Sequence, residues 1–180
     1  MARIHFLNVK NGDCSIIEHN SGHKTVIDVS NASELTFEET LSLAFNRAFA
    51  KHERGLSGNF QQKKYPVNPI AYMREHNITS IFRYVQTHPD MDHMDGIEAL
   101  FHAFSPLNLY DSDNKKEMPS SSWEGSPYQE SDWKFYKTMR DTNPQTIPKR
   151  LTLFSGDRGS YRNQDWNGNS GGDGLYVLAP

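Results

Sequence analysis

Apolar and polar residues alternate from Arg3 to Val9, with Ile4 and Phe6 set against His5, Leu7 and Val9, a period-two pattern for a strand that is apolar on both faces. Lys10 to Asp13 is a turn, because its Asn-Gly pair tolerates the positive φ that hairpins require. "CSIIEH" and "KTVIDV" then bracket the turn composition "NSGH", so residues 3–29 predict a meander of three strands.

From Glu34 the period changes. Leu35, Leu41, Ala44, Phe45, Ala48 and Phe49 recur at helical spacing, and Thr36 with Glu39 three residues on forms a capping box. Residues 54–67 read as a polar connection in which Lys63 and Lys64 are either phosphate contacts or solvated charge. Asn68 before Pro69 marks the start of a second helix, which runs through Ile70 and Met73 and stops at Asn77.

"ITSIFRYVQ" predicts a strand, and "THPDMDHMDGI", residues 87–97, lies at its carboxyl end, where open α/β sheets carry their ligands. Then follow a helix over "GIEALFHAF", a strand over "NLYDS" and a helix over "ESDWKFYKTMRD". "RLTLFSGD" and "GLYVLAP" predict two more strands, with residues 167–174 as a flexible hairpin tip. No repeat interrupts this order, and 180 residues suit one domain.

Composition narrows the function classes. A net charge of −3 lacks the basic footprint of a protein that grips nucleic acid by charge alone. The single cysteine, Cys14, excludes an internal disulfide and fits a reducing, cytoplasmic setting, where it is expected as a small buried hydrophobe. Neither a secretion signal nor a membrane span is expected. The hydrophobic share, 36%, is thin, which predicts either long polar loops or a core completed by residues outside this sequence.

Residues 87–97 hold the candidate chemistry. His88, Asp90 and Asp92 alternate on an extended or turned loop and His93 follows, so four side chains suited to divalent first-row metals lie in six positions. Two ions sharing such a loop can generate hydroxide near neutral pH and clamp a leaving oxygen. An acidic loop that only caps the next helix through Asp92 and Asp95 is the plainer alternative, but it leaves both histidines unexplained.

This stretch resembles the metallo-β-lactamase signature, a strand leading into His-x-His/Asp-x-Asp-His-x-Gly-Gly, in the variant with Asp at the second ligand position. That variant is known from the metallo-β-lactamase domain of the competence protein ComEC and its soluble relatives. "FLNVKNGDCSIIEH" and "GHKTVIDVS" are similar to the same group's N-terminal pattern. The resemblance covers residues 3–30 and 68–104, and more loosely 150–180. Asp95 and Ser30 stand where the group prefers Gly, and Asn8 and Lys10 replace its Asp and Gly.

The resemblance implies an α+β fold, the N-terminal half of an αβ/βα four-layer sandwich, with a mixed sheet and flanking helices. It implies two divalent ions, Zn or Mn: His88 and Asp90 serve the first, and Asp92 and His93 serve the second or the attacking water and so carry the catalysis. Asp28 is expected behind these ligands as an orienting support. Asp95 is either a further acid near the metals or, preferably, a helix cap.

The family pattern needs a further histidine, a bridging aspartate and a final histidine, yet no histidine follows His102. Asp157 in "LTLFSGD" is a candidate bridging carboxylate. The later "VLAP" fits an earlier register better, so a missing C-terminal half or a complementing chain is expected to supply the rest. The expected function is metal-dependent hydrolysis of phosphodiesters such as nucleic acid. The alternatives are a lactone, thioester or β-lactam substrate, or a non-catalytic half-site that binds metal or a partner.

Overall fold

A computed structural model describes residues 1–53, 66–142 and 148–178, with side chains throughout except over 46–53. Lys63 and Lys64, and the side chains of Ala48 and Phe49, lie outside what it describes. Among the described residues the architecture is α+β, with one mixed six-stranded sheet and four α-helices.

The strands β1 (Arg3–Phe6), β2 (Ser15–Glu18), β3 (Lys24–Ile27), β4 (Arg83–Val85), β5 (Asn108–Asp111) and β6 (Lys149–Thr152) lie side by side in chain order. β1, β2 and β3 form the expected antiparallel meander. β3 to β6 are all parallel, so the carboxyl ends of β3, β4 and β5 open on one edge. Crossovers that include a helix are what parallel neighbours require.

One register row, Ile16, Val26, Tyr84 and Leu109, is fully buried on a single face. Against it pack the apolar positions of α2 (Pro69–Glu75), α3 (Ile97–Phe104) and α4 (Glu130–Asp141), with Met73, Ile97, Leu100, Trp133 and Tyr136 in the same core. Tyr84 meets Phe101 edge to face at 5.2 Å between centroids, and Phe101 meets Phe135 likewise at 5.5 Å.

Local sequence accounts for the helix ends. Asn68 Oδ1 accepts from the Ala71 amide at 3.0 Å, and Asn77 at φ +56 closes α2 as the Ile78 amide returns to Met73 O at 2.9 Å. The Thr36 box exists as read: Glu39 N donates to Thr36 Oγ1 and Thr36 N to Glu39 Oε2, ahead of α1 (Phe37–Glu53). Of the described positions of its apolar stripe, however, Leu41, Ala44 and Phe45 are exposed.

Three expectations need correction. β4 and β6 are shorter than their apolar runs, because Ile78 and Ile81 fill the core before pairing begins and strand β6 stops at Thr152. Residues 174–178 form no strand; Leu175 N and Val177 O make single bonds to Arg162 O and Gly156 N. β1 is buried on one side only: the His5 side chain is buried against Tyr72 and Glu18, whereas Ile4 and Phe6 are 54% and 82% exposed.

Ile4 and Phe6 belong to the face away from the helices. Farther along it, the segment 159–175 docks on the sheet through Arg83, whose Nη2 donates to Asp173 Oδ2 at 2.5 Å and to Tyr161 O at 2.8 Å. Among the described residues no helix is long and apolar enough to cross a membrane.

Candidate metal centre

The parallel half of the sheet builds this site. β3 ends at Ile27 and delivers Asp28, β4 ends at Val85 and delivers Gln86, Thr87 and His88, and a short 3-10 turn over Met91–His93 folds the loop back. Asp28 itself adopts φ +53, a left-handed conformation that costs a non-glycine residue energy and here aims its carboxylate under the loop.

Asp28 is buried and accepts four hydrogen bonds. Oδ1 takes Gln86 Nε2 at 3.2 Å and the Thr87 amide at 2.8 Å; Oδ2 takes Thr87 Oγ1 at 2.5 Å and His93 Nδ1 at 2.9 Å. Those bonds fill the roughly four acceptor positions of a carboxylate. Burial nonetheless raises its pKa above the ordinary value, outweighing the donors. Asp28 therefore supports the imidazoles from behind.

The consequence is a choice of tautomer. With Nδ1 donating to Asp28, neutral His93 keeps the lone pair on Nε2. His88 is set the same way by relay: Thr87 Oγ1 gives its proton to Asp28 and accepts from His88 Nδ1 at 2.9 Å. The two rings lie 3.9 Å apart between centroids.

His88 Nε2 lies 3.7 Å from Asp90 Oδ2, and His93 Nε2 lies 3.9 Å from Asp92 Oδ2. Either separation is spanned by two ligand bonds of about 2.0–2.2 Å each. The donor set, two imidazole lone pairs and two partly exposed carboxylates, fits divalent ions. Asp28, His88 and His93 also offer ligand atoms within 4.8 Å of one another.

Two neighbours hold the loop from outside. Gly12, at φ +73, approaches so closely that a Cβ there would sit 1.6 Å from the Asp92 carbonyl oxygen. The turn that seemed only to join two strands is a wall of the site. On the other flank, Lys116 Nζ pairs with Asp90 Oδ1 and draws the Asp90 pKa below its usual range.

Asp95 neither approaches the imidazoles by any hydrogen bond nor caps α3. Its Oδ2 accepts from the Asn31 amide at 3.1 Å, and the cap comes from Asp132, whose oxygens accept from Gly96 N and Glu98 N at 3.0 Å each. Gly96 precedes the helix at φ +91 with its α-carbon against the Ala32 backbone, a packing that leaves no room for a local cap. Asp157 caps its own turn, accepting from Phe154 N at 2.8 Å.

Sequence reading passed over Thr87, Gln86 and Lys116, and also Tyr128, whose phenol burial and the charges of Asp92 and Asp95 raise in pKa. Thr87, standing directly before a candidate ligand at a strand end, was the one legible signal. A cavity of about 350 Å³ adjoins Thr87, lined by Val85, Tyr110, Asp111 and Val177 among others. A larger one, about 430 Å³, lies between α1 and α2 and touches none of the four donors.

No protein-family model matches the chain, and no curated protein matches it.

Proposed function

We propose that this chain is a metal-dependent hydrolase of the metallo-β-lactamase type, acting on phosphodiesters such as nucleic acid. The observation that carries the reading is the pair of imidazoles fixed through Nδ1 by one buried carboxylate, each presenting Nε2 beside an aspartate. The sequence resemblance supports the same assignment.

In this reading His88 and Asp90 hold one ion, and His93 and Asp92 hold the other. When bound, such ions acidify water and neutralise charge that develops on phosphoryl oxygens. Asp28 holds the His93 Nδ1 proton directly and the His88 one through Thr87, so that each ring turns Nε2 toward the ion, and Asp92, 41% exposed at its side chain, is placed to take the proton of the attacking water. Attack forms one P–O bond and breaks the bond to the departing alcohol. Zn and Mn both suit a donor set of two nitrogens and two carboxylates.

The test is hydrolysis of bis(p-nitrophenyl) phosphate and of single- and double-stranded DNA with Mn²⁺ or Zn²⁺, against a chelator. His88→Ala and Asp92→Ala are expected to abolish metal-dependent turnover and leave the far-ultraviolet dichroism unchanged. Full activity in both variants would remove the assignment.

A second reading, a half-site completed by another polypeptide segment, is favoured by the exposure of Ile4 and Phe6 on the sheet face that the helices leave open. Metal stoichiometry separates the two: an enzyme of the first kind holds two ions per chain, the half-site at most one.

A further inference from the structure

Lys116 sits in the loop between β5 and α4, 26 residues from Asp90, and its ammonium pairs with Asp90 Oδ1 where a ligand carboxylate faces His88. The base of this side chain is held firmly. Arg140, 1% exposed at its side chain, donates from Nη1 to Lys116 O at 2.8 Å and from Nη2 to Glu117 Oε1 at 2.9 Å. The Lys116 amide donates to Asn114 Oδ1 at 2.9 Å. Buried Arg140 thus fixes the loop backbone, while the lysine side chain, 40% exposed, reaches Asp90 with its ammonium.

Resting on the metal-site reading above, we propose that Lys116 is an internal stand-in cation, which neutralises Asp90 while the site is metal-free, yields to a divalent ion, and then binds the anionic group of the substrate. An ammonium and a dication repel, so both cannot hold Asp90 closely. Released from Asp90, the ammonium stays within one side-chain length of the site because Arg140 keeps its backbone there.

The experiment measures Mn²⁺ binding to the intact chain by calorimetry, then binding of inorganic phosphate to the Mn²⁺-loaded chain. Lys116→Met removes the competing charge at similar length, so Mn²⁺ is expected to bind about two- to fivefold more tightly, the range set by an exposed ion pair. Phosphate is expected to bind the loaded variant about tenfold more weakly, the low end for a charge-assisted hydrogen bond. Lys116→Arg should restore both properties toward the original. In an Asp90→Asn background, Lys116→Met should leave Mn²⁺ binding unchanged.

Unchanged or weaker Mn²⁺ binding by Lys116→Met would overturn the stand-in role, and unchanged phosphate binding would overturn the substrate role. Failure of the original chain to bind Mn²⁺ at all would instead sink the metal-site reading and this inference with it. Neither binding measurement depends on hydrolysis, so a chain that binds both ions but cleaves nothing overturns only the proposed reaction.

Discussion

His93 and Asp28, 65 residues apart in sequence, meet at 2.9 Å, with the imidazole Nδ1 donating to a buried carboxylate oxygen. This bond decides which nitrogen faces the loop, and the same carboxylate sets His88 through Thr87. The orientation of both imidazoles therefore depends on one carboxylate behind them.

Asp28→Asn tests this control. The amide nitrogen of asparagine would donate toward His93 Nδ1, favouring the tautomer with its proton on Nε2 and blocking the lone pair needed for metal. Affinity for Zn²⁺ or Mn²⁺ is expected to fall about 10- to 100-fold. Titration with a competing chelator measures it, and an unaltered affinity would show that Asp28 does not orient the ligands.

Gly12→Ala should damage the loop as well as the turn. The substitution combines a left-handed φ with a Cβ 1.6 Å from the Asp92 carbonyl, whereas Gly22 at φ +92 has nothing within 4 Å of such a Cβ. Gly22→Ala should cost only the backbone term, about 1–2 kcal/mol. In urea denaturation Gly12→Ala should exceed it clearly and also weaken metal binding. Equal losses in the two variants would contradict the close approach.

Asp113 supplies a pH-dependent signal remote from the imidazoles. The Arg150 guanidinium, joined by Lys115, holds its carboxyl down at about 2. Because the folded value lies below the unfolded one, near 3.9, the pair adds stability that is present above about pH 4 and lost as pH falls through 2. The side-chain carboxyl ¹³C shift of Asp113 should titrate near 2, and Arg150→Gln should return it toward 3.9. A midpoint that ignores Arg150 would refute the pairing.

The bond between Arg83 and Asp173 should govern the segment 159–175. Both side chains are buried, at 0% and 1% exposure, and Asp173 also accepts from Ser21 Oγ and His23 Nδ1. Asp173→Asn leaves Arg83 without its counter-charge, a cost of up to about 3–5 kcal/mol. The loss loosens a segment whose other ties to the sheet include Tyr161 O on Arg83 Nη2 at 2.8 Å and the Tyr161 ring against Phe82. Amide exchange at Tyr161, Asp173 and Leu175 should accelerate while that of β2 and β3 stays slow, and unchanged protection in the segment would rule this out.

How far the sequence could be read depended on the range of the interactions involved. The Thr36 box, the Asn68-Pro69 start and the helices at 97–104 and 130–141 are settled by contacts within four residues, and each is found where its pattern places it. The exposure of Leu41 and Phe45 shows the limit of periodicity, which marks an apolar stripe without stating what covers it. The crowding of His88, Asp90, Asp92 and His93 was likewise legible, since one loop holds them all.

What the sequence determined by itself was thus a set of local elements, the meander of the first 29 residues and four candidate ligands on a single bend. Only the tertiary structure decided that β3 and β4 run parallel and so bring Asp28 beneath His93, that Gly12 backs onto Asp92, that Asp132 rather than Asp95 caps α3, and that Lys116 reaches Asp90. The reason is physical: periodicity and capping record the energies of neighbours along the chain, whereas these four contacts join residues that only sheet pairing and core packing bring together.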